Sequence, residues 1–235
     1  MDRIDEVWAH VLPVDPVPLA GTPVLVVLVA AVVAVAVGPV WAVLRLGVTL
    51  VHELGHAGVG VLAGRRFTGF VLRGDMSGHA VTVGPARGPG RVLTTWAGYP
   101  MPALVGAAVV WLAVRGWGPT VLTGVLVVLV AAALRVRSLL TGVVVVVVGV
   151  ATGALWWSGS DRLQAQVLVG AGIVLVVGAW RHLVAVASAP DRGTSDPSVL
   201  ARLTHVPRSL WVLSFALVCG WATWVVTETV WDAWA

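Results

Sequence analysis

Thr49-Leu50-Val51-His52-Glu53-Leu54-Gly55-His56-Ala57 sets three titratable side chains in the middle of an apolar tract running from about 40 to 64. A tract of that length reads as a membrane-spanning helix, because about 20 apolar residues cross the hydrocarbon core. On a helix, residues i and i+4 share a face. His52 and His56 can therefore present two imidazole nitrogens to one metal ion, with Glu53 placed as a general base. Each group is costly in lipid, and ionisable residues inside a span are functional candidates by default. If the metal is zinc, two histidines and a carboxylate hold it and leave a fourth position open. Two other readings fit the same residues: a satisfied interhelical hydrogen-bond network, and a proton or ion relay. Gly47, Ala57, Gly58, Gly60 and Gly64 are small enough to let neighbouring helices approach this one closely.

Working outward, apolar stretches at about 21 to 38, 40 to 64, 92 to 113, 118 to 134, 138 to 157, 163 to 186 and 208 to 228 predict seven spans, or six if the first does not cross. Gly38-Pro39 is the natural turning point between the first two. Arginines segregate between alternate loops. Arg3, the 65 to 91 and 135 to 137 loops, and the region from Arg181 to Arg208 carry most of them, whereas Arg45, Arg115 and Arg162 fall on the other side. Cytoplasmic loops collect positive charge, so this predicts a cell-membrane protein with its N-terminus cytoplasmic and its C-terminus outside. Trp117, Trp156, Trp157, Trp180, Trp231 and Trp234 fall near predicted span ends, as interfacial aromatic anchors. Between 65 and 91, two β-prone runs flank Gly74-Asp75-Met76-Ser77-Gly78 and read as a hairpin. Residues 1 to 20 form an interfacial segment, with Ile4, Val7, Trp8, Val11 and Leu12 at amphipathic spacing before Pro13. Residues 21 to 235 form a single integral membrane domain.

Composition agrees. Only 11% of the 235 residues are charged and 58% are hydrophobic, whereas a soluble domain carries about 25% charge. The bilayer is the main solvent. The 15 basic residues, all Arg, against 11 acidic ones are too scattered for a nucleic-acid surface and face anionic lipid headgroups instead. A lone cysteine, Cys219, excludes an internal disulfide and a thiolate zinc cluster.

These landmarks together resemble the site-2 proteases, intramembrane zinc metallopeptidases, and in particular their small bacterial branch without a PDZ domain. The resemblance rests on His52-Glu53-Leu54-Gly55-His56-Ala57, Gly64, Asp75-Met76-Ser77-Gly78, Ala97-Gly98-Tyr99-Pro100 at the next span, and Ser195-Asp196 ahead of Leu200, Thr204, Pro207 and Trp211. It implies that the two histidines and a distant Asp bind zinc, that Glu53 activates water, and that the substrate is a membrane-embedded helix of another protein. The Asp is carried over to Asp196 by the Ser195-Asp196 match. No Leu-Asp-Gly or Asn-Pro motif stands in a late span, and Asp196-Pro197 also reads as a helix cap followed by proline. Asp191, Asp75 and His79 are the reserves. His182 and His205 read as interfacial or helix-end residues, His10 as part of the surface segment, and Arg45 as an interfacial anchor or an oxyanion partner.

The sequence thus predicts an all-α membrane bundle with a small β-hairpin after the His52–His56 helix, and a zinc endopeptidase acting on a membrane-protein substrate. The rivals are a metal-ion or proton transporter and a non-hydrolytic zinc-binding scaffold. Glu53 argues against the scaffold, and the lack of internal symmetry against the transporter.

Overall fold

The computed structural model describes residues 7–8, 10–17, 21–75 and 77–234. Helices α1 (Thr22–Ala36) and α2 (Gly38–Leu62) are followed by strands β1 (Arg66–Leu72) and β2 (Gly78–Val83). Then come α3 (Pro89–Trp96), α4 (Pro100–Val114), α5 (Gly118–Ala133), α6 (Leu139–Ser158), α7 (Asp161–Ser188), α8 (Asp196–Thr204) and α9 (Arg208–Trp234). In α1 to α5 and α8 a proline sits in the first turn, where its missing N–H costs nothing. The α6 and α7 helices start instead on Ser138 and Ser160, whose hydroxyls accept the Thr141 and Leu163 amides.

The helical bundle with one small hairpin is as expected, but its spans are organised differently. By length and hydropathy α6, α7 and α9 can each cross a membrane. The α1–α2 pair bends by 97° at Val37, beside the expected Gly38-Pro39 turn, and the α3–α4 pair bends by 63°. The predicted 92 to 113 span is therefore broken at Ala97–Tyr99, because Pro100 cannot continue the hydrogen-bond ladder. With 15 residues, α1 is about 22 Å long, short of the hydrocarbon core. Counting each bent pair once gives up to five candidate spans among the described residues, with α5 a shorter apolar helix beside them, against the seven or six expected.

Val14 N–H donates to Gly116 O at 2.9 Å, Thr120 donates to Val11 O at 2.7 Å, and the His10 ring stacks on Trp157 at 4.8 Å. Residues 10–17 therefore lie at the Arg-poor end of the bundle. The last turns of α9 pack at that same end, through Val226, Val230 and Ala233. These two segments thus share one end of the bundle. Of the predicted amphipathic segment, Ile4 lies outside the described residues and only Val7 and Trp8 are helical. The Trp180 indole donates to Thr223 of α9 at 3.0 Å and ties two helices together.

Three apolar clusters hold the bundle. One joins α4, α7, α8 and α9 through Ala103, Ala107, Ala179, Leu200, Phe215 and Cys219. A second gathers Val24, Val110, Ala113, Leu122, Ala165 and Val169 at the Arg-poor end. A third sets Leu50 of α2 and Phe70 and Leu72 of β1 against Leu129, Ala132 and Val144. The expected close approach to α2 comes mainly through Gly55, where a Cβ would stand 2.6 Å from Met101 Cβ, and through Gly60. Gly47 and Gly58 have no neighbour there, and Gly64 serves a turn at φ 76°.

The hairpin pairs Phe70 with Ala80, Val71 with His79 and Leu72 with Gly78. Its β1 edge is closed by the α5–α6 connection. Phe70 N–H donates to Arg135 O, Arg137 N–H donates to Phe70 O, and Leu72 N–H donates to Thr141 Oγ1 at 2.7 Å. Since Phe70 and Leu72 turn their backbone groups away from β2, Ala80 and Gly78 opposite them must turn theirs away from β1. The open edge of the sheet thus belongs to β2, and it faces α2.

Candidate metal centre and cleft

Four elements converge on the middle of α2. The helix itself carries His52, Glu53 and His56. The chain leaving α7 turns at Gly193 (φ 73°) and sends α8 inward, so that Asp196, its first residue, reaches the two histidines. The α8 helix is held at that depth by Leu200, which is fully buried, and by a hydrogen bond from the Trp211 indole to Thr204.

His52 Nε2 lies 3.3 Å and His56 Nε2 3.1 Å from Asp196 Oδ2, and the two imidazole nitrogens are 3.1 Å apart. Four donors about 2.0 to 2.2 Å from a tetrahedral zinc ion stand roughly 3.3 Å from one another, so these spacings suit a single ion. The donor set points the same way. His56 Nδ1 donates to Thr94 O at 2.7 Å, which leaves its Nε2 lone pair facing the carboxylate. Lone pairs converging this closely call for a positive charge between them, a proton on a ring nitrogen or a metal ion. His52, His56 and Asp196 are the group of described residues able to hold a metal ion. Gly98 completes the cradle: a Cβ there would stand 2.6 Å from His52 Nε2 and closer still to His56 Nε2.

Glu53 is buried beside this group. The Ala80 amide of β2 hydrogen-bonds its carboxylate, and a Cβ on Gly78 would collide with Glu53 Oε1. Only glycine lets β2 lie so close over the acid. Together these groups border a cleft of about 660 Å³ between α2, β2 and α7, also lined by Arg45, Tyr99, Arg181 and His182. The Tyr99 ring meets His52 edge-on at 4.8 Å and stacks on Phe215 at 5.3 Å.

Ser195, not Asp196, is the residue at the cap position of α8, and its side chain makes no cap hydrogen bond. The reserves are occupied elsewhere. Asp191 accepts from Ser198 Oγ at 2.6 Å and from the Gly193 amide, bonds that hold its carboxyl below the usual carboxylate range. Asp75 accepts from Ser77 in the hairpin turn, and His79 lines the cleft outside the donor group. Arg45 donates to Asp75 O at 2.8 Å and so ties α2 to that turn. His205 ends α8 in the left-handed conformation, as a helix-end residue should. His182 is not interfacial but borders the cleft. The available signal for it was the polar pair Arg181-His182 inside an apolar span.

A helical bundle that gathers two half-buried histidines, a half-buried aspartate and a buried glutamate around one cleft has the donor set of a membrane metalloenzyme. The family described as Peptidase M50B-like matches residues 25–226, and the chain belongs to that family, the site-2 protease family of intramembrane metalloproteases. No curated protein and no solved structure matches the chain.

Proposed function

We propose that this chain is an intramembrane zinc endopeptidase that cuts membrane-embedded proteins, with His52, His56 and Asp196 as zinc ligands and Glu53 as general base. The convergence of three metal donors on one point beside a buried carboxylate carries this reading. Zinc, when bound, supplies a Lewis acid that polarises the scissile carbonyl and makes water a better nucleophile at neutral pH. Glu53 takes a proton from the attacking water and returns it to the departing amine. Thr94 O orients the His56 ring, a contact of the kind that typically adds about 10- to 100-fold in metal affinity.

The open edge of β2 is the substrate's docking strand. Gly78 and Ala80 turn backbone groups toward the cleft, and an unwound substrate segment adding there lies across Glu53 without demanding a sequence. Purified protein in liposomes should cleave a co-reconstituted single-span protein, lose that activity to a chelator and regain it with zinc. Zinc or proton flux without cleavage would instead favour a transporter.

The Arg-rich end, with the hairpin and the 187 to 207 segment, is assigned to the cytoplasm. Residues 10–17 and the end of α9 then lie outside. Cysteines introduced at the exposed positions Arg87 and Arg115 should react with impermeant reagents from opposite sides of the cell membrane, position 115 from outside. Labelling of position 87 from outside inverts the topology.

A further inference from the structure

The α7 wall of the cleft holds a donor that neither the metal centre nor Glu53 uses. Helices α2 and α7 come into close contact at Gly178, where a Cβ would stand 2.6 Å from Val48 Cγ2. One turn further along each helix, His182 and His52 stand on either side of the cleft, which both line. His182 is half-buried, and no hydrogen bond engages its ring among the described residues. The charged or titratable groups facing it are His52, Arg45 and Arg181. It lies outside the group whose donors converge for a metal, so it is not a fourth ligand.

Peptide hydrolysis builds negative charge on the carbonyl oxygen as its carbon becomes tetrahedral, and a fixed hydrogen-bond donor aimed at that oxygen lowers the barrier. The other cationic side chains of this wall region are engaged. Arg45 donates to Asp75 O, and Arg181 lies 4.3 Å over the Trp41 ring while donating to Val35 O. Tyr99 is packed between His52 and Phe215 on the opposite, ligand-bearing wall.

Building on the peptidase reading above, we propose that the His182 ring N–H hydrogen-bonds the scissile carbonyl oxygen across the cleft from His52. The water oxygen bonds to the carbonyl carbon while one of its protons passes to Glu53, and the carbonyl π pair moves onto the oxygen held by His182. That pair then re-forms the double bond, the C–N bond breaks, and the proton on Glu53 goes to the amine. His182 keeps its own proton throughout.

The test uses the full chain in liposomes with His182→Ala and His182→Gln. Zinc content, affinity for uncut substrate in a Glu53→Gln background, kcat, and affinity for a peptidyl phosphonate mimic of the tetrahedral state are measured together. His182→Ala should retain zinc and substrate affinity, while kcat falls about 10²- to 10³-fold and phosphonate affinity falls in parallel. His182→Gln, which keeps an N–H donor, should recover part of both. Unchanged kcat and phosphonate affinity in His182→Ala overturn the inference, and so does loss of zinc, which would make the residue a ligand. A wild-type chain that holds zinc and substrate but never cleaves fails the peptidase reading itself, and the wild-type control shows this separately.

Discussion

Glu53→Gln is expected to reduce cleavage by about 10² to 10⁴, to background in most assays, while the protein still folds, keeps its zinc and holds uncut substrate. The amide preserves the size of the side chain and its contact with the Ala80 amide, but it cannot take the proton from water. The carboxylate is buried under β2 at Gly78, so no bulk solvent base can replace it at that position. Comparing cleavage of a co-expressed single-span protein with recovery of the uncut protein on the variant separates loss of chemistry from loss of binding. Persistent cleavage in Glu53→Gln would remove the residue from the reaction and leave the metal centre a binding or transport site.

Gly98→Ala should be nearly as damaging although it removes no functional group. Its added methyl would enter the space between the His52 and His56 nitrogens. The break between α3 and α4 brings backbone to within contact of the ligands, and Pro100 fixes where that break falls. The imidazoles must then turn aside, or α4 must move off α2 against the Gly55–Met101 contact. Metal affinity should fall at least as far as when a supporting contact is lost, about 10- to 100-fold, and activity with it. A Gly98→Ala protein with normal zinc titration and cleavage would show that the loop lies further from the ligands than the geometry here places it.

What could be read from the sequence was what local spacing determines. His52, Glu53 and His56 fall together on any helix, and Gly38-Pro39 must interrupt one, so the metal helix and the bend before it were legible. The hairpin was also legible from Gly74 to Gly78. Which of its edges stays open was not, because β1 is closed by Arg135 and Arg137 from a distant connection. Asp196 remained balanced between ligand and cap because Asp-Pro carries the same letters in both roles. Only the inward course of α8 brings its carboxylate to 3.1 Å from His56. Hydropathy merged α3 and α4 into one span, since the average over a window does not register a 63° bend. His182 was passed over for a similar reason: one histidine beside an arginine reads as a span end until the opposite wall of the cleft is known.

The central claim is that His52, His56 and Asp196 hold one catalytic zinc ion, and metal analysis of the purified protein tests it most directly. The wild-type chain should carry about one zinc, and His52→Ala, His56→Ala and Asp196→Asn should each lose most of it, because a site with two of three protein ligands is incomplete. Asp196→Asn is the sharpest of these, since Asn caps a helix about as well as Asp and the substitution spares any capping role. Full zinc occupancy in His52→Ala and His56→Ala, or normal zinc and cleavage in Asp196→Asn, would contradict the account.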